Sequence, residues 1–118
     1  MKSALAGAAA YVTKDGSEIR ELMHPAVHGN RRQSLAEARV HPGQVTALHR
    51  HRVTEEIYHF TAGSGRMRLG DAEFAVAAGD TVAIAPGTAH SVGNTGAGVM
   101  TILCSCSPAY AHEDTELL

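Results

Sequence analysis

Along this 118-residue chain, short runs of alternating or β-branched apolar residues recur, and the 3.6-residue period of a helix is almost absent after residue 30. Gly, Pro, Asp and Asn punctuate these runs. Strands are predicted near 19–23, 33–40, 45–51, 56–61, 65–69, 73–77, 81–84, 89–93 and 99–106. So many short strands at close spacing point to a sandwich or barrel. The plainest hairpin lies in RMRLGDAEFAV, where Gly70-Asp71 suits a two-residue turn with a positive-φ residue first. HPG at 41–43 and APG at 85–87 read as turns. Residues 1–32 read as a partly irregular segment, an edge strand or a lid, 33–107 as the barrel, and 108–118 as a tail.

Composition narrows the class. A chain of this length holds one domain, and 44% hydrophobic with 19% charged residues is an ordinary globular balance. A net charge of −2 lacks the concentrated basic surface that nucleic acid requires, and Arg31-Arg32 reads as a solvated loop. No apolar run is long enough to span a bilayer. The opening MKSALAGAAAYV is too poor in large apolar residues for a secretory signal. Cys104 and Cys106, two apart on a strand, sit about 6.6 Å apart at Cα, near the upper limit for a bridge. A reduced cytoplasmic protein with two small buried thiols is the expectation.

The chemistry concentrates in ALHRHRVTEEIYHF, residues 47–60. On a strand His49 and His51 face one side and Arg50 the other. Four residues then allow a turn, and Glu56 can stand opposite the histidines with Tyr58 and Phe60 on its face. Two imidazoles and a carboxylate suit a divalent metal with open positions. Taken alone, a polar surface hairpin explains the stretch about as well. A second segment, GDTVAIAPGTAHSVGN at 79–94, echoes the first in its order of glycine, strand and histidine. It would bring His90 to the same barrel mouth.

With both segments in view, the chain resembles a cupin. The first motif of that family runs Gly, five residues, His-x-His, three or four residues, Glu, six residues, Gly, and Gly43, His49, His51, Glu56 and Gly63 fall on it. The second runs Gly, five residues, Pro-x-Gly, two residues, His, three residues, Asn, and Gly79, Gly87, His90 and Asn94 match. One position departs: Ala85 replaces the first Pro, although Pro86 follows. The resemblance covers about residues 33–107 and implies an all-β, double-stranded β-helix, or jelly-roll barrel. It also implies one divalent transition metal ion (Mn, Fe, Ni, Co, Cu or Zn) on His49, His51, Glu56 and His90, a small-molecule substrate and a homodimer.

Other residues follow from strand alternation. Tyr58 should share the inward face of Glu56, as a packed tyrosine or a proton donor near the metal. Glu55 and His59 should face away. Arg66 and Arg68 read as a solvated face, or, if turned inward, as a clamp for an anionic substrate. Either Ser34, Ala36, Ala38 and Val40 or the face bearing Glu37 and Arg39 lines the pocket. His24 and His28 belong to a loop or to a lid over the opening, and the tail is expected to pack across the barrel or a partner.

The resulting expectation is a metal-dependent enzyme, a dioxygenase first and an isomerase second. A non-catalytic small-molecule or metal-binding module is the alternative. Oxygenation would want a mostly apolar cavity, to which Phe60, Met100 and Ile102 could contribute. Sugar-phosphate isomerisation would want an inward Arg66 or Arg68.

Overall fold

The computed structural model describes all residues from Met1 to Leu118. Eleven strands are present: β1 (Ala10–Val12), β2 (Glu18–Met23), β3 (Ser34–Val40), β4 (His49–His51), β5 (Glu55–Ala62), β6 (Ser64–Leu69), β7 (Ala72–Ala77), β8 (Thr81–Ile84), β9 (His90–Asn94), β10 (Met100–Ser107) and β11 (Thr115–Leu117). They form two antiparallel sheets, β1-β2-β3-β10-β5-β8 and β11-β4-β9-β6-β7. This is the expected all-β jelly roll. No helix is long and apolar enough to cross a membrane.

Nine strands were anticipated, eight of them close to their observed bounds, and the differences are instructive. The run predicted at 45–51 is regular only over His49–His51, with Val45 making an isolated bridge to Gly93. The tail packs onto the barrel as a strand: Thr115–Leu117 pairs with β4, and Thr115 is buried. Residues 1–32 contribute two strands at the edge of the six-stranded sheet, β1 pairing with β2 and β2 with β3. His24 and His28 lie at either end of a short helix rather than in an irregular loop. His24 Nδ1 accepts from Ala26 N at the start of the short helix α1 (Pro25–His28), and His28 Nδ1 accepts from His24 N.

Inward residues grade from large and apolar to small and polar along the same strands. On β5 the sequence of inward side chains is Phe60, Tyr58, Glu56; on β10 it is Met100, Ile102, Cys104, Cys106; on β3 it is Val40, Ala38, Ala36, Ser34. Phe60, Met100, Ile102 and Val40 meet Met67, Val76 and Val92 of the opposite sheet and close one end of the barrel. The other end, lined by Ala, Ser and Cys, stays hollow because these side chains cannot fill the space between the sheets. The small face of β3 therefore lines the cavity, and Glu37 and Arg39 pair with each other at 2.7 Å on the outer face.

Two glycine positions show why the connections are tight. The β6–β7 hairpin turns on Gly70-Asp71, as anticipated, with Gly70 at φ +58°. Gly63, between β5 and β6, has φ +86°, and a Cβ there would lie 2.7 Å from Met100 Cα. Only glycine satisfies both the left-handed backbone and the close approach. Asn94 ends β9 with its amide nitrogen donating to Val40 O and Gly98 O, both at 2.8 Å, while its oxygen accepts from Gly96 N.

Candidate metal centre

His49 and His51 lie on β4, and His90 opens β9 directly opposite His49. The register brings the three imidazoles together, with ring centroids 4.2 Å apart for His49–His90, 5.2 Å for His49–His51 and 5.4 Å for His51–His90. One ring nitrogen from each falls within 4.8 Å of the others, and all three residues are buried. Glu56 enters from β5 in the other sheet. Its Oε1 stands 3.1 Å from His51 Nε2 and 3.6 Å from His90 Nε2.

The protonation of the three rings follows from their outer hydrogen bonds. His49 Nδ1 lies 2.8 Å from Ala47 O and His90 Nδ1 lies 2.9 Å from Thr88 O. A carbonyl only accepts, so both Nδ1 atoms carry the proton. His51 Nδ1 lies 2.9 Å from Thr115 Oγ1, whose own proton is directed to Ala111 O at 3.0 Å. That hydroxyl is therefore an acceptor toward His51, and His51 Nδ1 is also the protonated nitrogen. In the neutral tautomer His49 and His90 then present bare Nε2 lone pairs, while the 3.1 Å contact of His51 Nε2 with Glu56 Oε1, a carboxylate that only accepts, needs a proton or a cation between its two atoms. His90 Nε2 is fully buried with no hydrogen-bond partner. Electron-rich atoms crowded in this way call for a cation among them, and outer hydrogen bonds of this kind hold metal-ligating imidazoles in place.

Local electrostatics agree. Burial, followed by the neighbouring His90, pushes His49 below the usual histidine range. Burial by itself raises the Glu56 carboxyl, but His51 and His90 more than reverse this and hold it at about 2, so Glu56 is a carboxylate. Its second oxygen accepts from the Cys106 thiol at 3.3 Å, which turns Oε1 toward the imidazoles. Both cysteines are free and buried. Cys104 and Cys106 line the cavity as small side chains of the inner face.

The cavity in front of these groups has a volume of about 520 Å³, counting its open mouth. Tyr58 faces into it, and its ring meets His90 edge-on at 5.9 Å. Burial and then the charge of Glu56 raise the phenol far above its ordinary range, so it is a neutral hydroxyl. His59 and Glu55 face outward as their alternation requires, with His59 bonded to Thr81. Arg66 and Arg68 are exposed on the outer face and clamp nothing in the cavity. Phe60, Met100 and Ile102 do not line the cavity either; they belong to the packed end of the barrel.

Eight cavity residues escaped the sequence reading, Thr13, Ser17 and Ile19 among them. Tyr11, Asp15 and Glu21 come from the first hairpin, and Tyr110 and Thr115 from the tail. Asp15 sits in the β1–β2 turn, where Oδ1 accepts from Ser17 N and Oγ, and Ala47 N donates to its carbonyl at 2.8 Å. These bonds dock the turn against the strand of His49 and leave Asp15 Oδ2 3.8 Å from His49 Nε2. Tyr110 packs edge-on to His51 at 5.8 Å, with its hydroxyl 3.0 Å from Thr13 Oγ1. The alternation of Ile19 and Glu21 on one side of β2 was the available signal for Glu21. Nothing local marked Asp15 or Tyr110.

Comparison with known proteins accords with this geometry. Half of the residues are identical over 108 positions to an uncharacterized protein of Methanocaldococcus jannaschii, across 92% of this chain and 86% of that one. A predicted oxalate decarboxylase from Thermotoga maritima superimposes with a TM-score of 0.80 at 23% identity, covering 92% of this chain and 99% of the other. Pac13, a nucleoside dehydratase from Streptomyces, superimposes with a TM-score of 0.79 at 16% identity, covering 100% and 90%. At such identities these structures share the fold and nothing more is carried over. The cupin domain family model matches residues 36–106, which span both histidine segments and the strands that carry them, and the chain is a member of the cupin family.

Proposed function

We propose that this chain is a metal-dependent enzyme acting on a small polar molecule by isomerase-type proton transfer. One divalent transition metal ion would be held by Nε2 of His49, His51 and His90 and a carboxylate oxygen of Glu56. The observation that carries this reading is the convergence of three buried imidazoles and one carboxylate from the two sheets, with His90 Nε2 buried and without a hydrogen-bond partner. Such a donor set suits Mn, Fe, Co, Ni, Cu or Zn and leaves positions open for a chelating ligand. When bound, the ion would supply a Lewis acid that polarises a chelated oxygen and acidifies the adjoining C–H.

The chain's own part is to position the substrate and move the proton. Tyr58, a neutral phenol beside His90, is the proposed proton donor at its hydroxyl. Proton transfer is favoured over oxygenation because Tyr58, Asp15 and Glu21 place hydroxyl and carboxyl groups in the cavity, although much of its exposed wall is apolar, and the trio of Phe60, Met100 and Ile102 is buried away from it. The fold itself hosts unrelated chemistries and does not choose. The test is incubation of metal-loaded protein with small hydroxy-ketones in D2O, followed by NMR. Deuterium entering at the carbon next to the carbonyl is the expected result, with a rate roughly 100-fold lower in Tyr58→Phe at unchanged metal content. Stoichiometric O2 uptake instead would assign a dioxygenase. Binding with neither exchange nor uptake across the panel would assign a non-catalytic module.

The reading includes a homodimer in a reducing, cytoplasmic setting, the latter supported by the two free thiols. The outer face of the six-stranded sheet supports the dimer. Leu35, Ser105, Ile57 and Ala83 form a row across four strands, with Leu35 and Ile57 exposed and Leu103 beside them. Charge is sparse at the centre of that row, as at subunit interfaces. Light scattering is expected to give twice the chain mass for the native protein and the single mass for Ile57→Glu. A monomeric native protein would remove the dimer from this reading.

A further inference from the structure

Within the cavity, the groups beyond the metal donors share one electrostatic character. Glu21 and Asp15 project into it along with Glu56, and neither Lys nor Arg lines it. The cations nearest in sequence are turned outward and already engaged. Arg20 pairs with Glu18, Arg39 with Glu37, and Arg50 with Glu116, while Lys14 donates to the carbonyls of His112 and Thr115. Two carboxyl oxygens inside are unspent. Glu21 Oε1 is buried without a hydrogen-bond partner, although its Oε2 accepts from Tyr11. Asp15 Oδ2 receives no hydrogen bond, while Oδ1 takes two.

We infer that the substrate of this centre bears no negative charge outside its metal-chelating atoms, and that its far end presents hydroxyl or amino donors to Glu21 and Asp15. The inference rests on the metal-centre reading and adds the substrate class. An unpaired buried acceptor such as Glu21 Oε1 is costly, so a ligand that supplies O–H or N–H donors there, and to the open Asp15 Oδ2, recovers what the cavity lacks. A phosphate or a second carboxylate would instead be desolvated beside like charge with no fixed cation to receive it. The apolar side, Ile19 with Ala36 and Ala38, accommodates the carbon skeleton of a small molecule. The acceptors thus select for uncharged polyhydroxylated or amino-bearing compounds and against oxalate-like dianions and sugar phosphates.

Three hydroxypyranones with the same chelating atoms isolate the effect. Allomaltol carries a methyl group at the far position, kojic acid a hydroxymethyl group and comenic acid a carboxylate. Their affinities are measured by calorimetry on metal-loaded protein, with metal content determined in the same samples. Kojic acid is expected to bind at least 10-fold more tightly than comenic acid, a difference of about 1.4 kcal/mol. Glu21→Gln and Asp15→Asn are each expected to narrow that gap several-fold, because each removes one carboxylate at nearly constant shape. Comenic acid binding as tightly as kojic acid to fully loaded protein overturns the inference and leaves the metal centre standing. A gap that neither variant changes overturns the assignment to these two residues. Absence of bound metal, with none of the three compounds held, overturns the underlying centre and the inference with it.

Discussion

His90→Ala is expected to weaken binding of a divalent transition metal by at least about 100-fold, a larger loss than removal of an outer hydrogen-bonding partner causes. His90 is the member of the cluster with no exposure, and its Nε2 has no other partner. Competition with a metallochromic chelator measures the change. The same variant separates a metal centre from a polar pocket by stability. Metal at 1,000 times its Kd stabilises the native state by about 4 kcal/mol, so removing it with a chelator should lower the Tm of the native protein sharply. The variant's Tm should barely respond to the chelator. Equal metal affinity in the two proteins would remove the foundation of the functional reading. Substitution of His49 or His51 by Ala is expected to act in the same direction.

Phe60→Ala is expected to destabilise the fold by about 3–5 kcal/mol, the usual cost of deleting a fully buried aromatic ring. Phe60 is wholly buried within the core cluster that includes Met67, Met100 and Ile102. It also lies in the strand that carries Glu56 and Tyr58. Domains of this kind hold only about 5–15 kcal/mol of net stability, so the loss should lower Tm by on the order of 10 °C. Phe60→Leu, which keeps much of the volume, should cost far less. Thermal melts by circular dichroism decide the matter, and a Tm within 3 °C or so of the native value, by the same scale, would contradict this account of the packed end.

The two expectations concern opposite ends of the same strands. At one end, large apolar side chains fill the space between the sheets; at the other, Ala36, Ala38, Cys104 and Cys106 leave room and the histidines and Glu56 turn inward. A two-residue period carries each strand through both regions without a change of face. Stability and chemistry are thereby divided along β3, β5 and β10 rather than assigned to separate elements. Cys106 stands at the junction, contributing its small volume to the cavity and its thiol proton to Glu56.

Much of this was legible from residues alone. Alternation placed nine strands, the Gly70-Asp71 turn fitted its hairpin, and two segments at fixed spacing marked His49, His51, Glu56 and His90. Such signals are local: period, turn chemistry and motif spacing each sit within a few residues. What tertiary structure alone decided is the environment of those four side chains. Asp15, Tyr110 and Thr115 lie 30 or more residues from the histidines they approach, and ordinary turn or tail composition gives no sign of that meeting. The face of β3 that looks inward, the outward aim of every nearby cation and the tautomer of each imidazole likewise follow from pairing between distant strands. A histidine's position can be read from its neighbours in the chain, but the proton it carries is set by its neighbours in space.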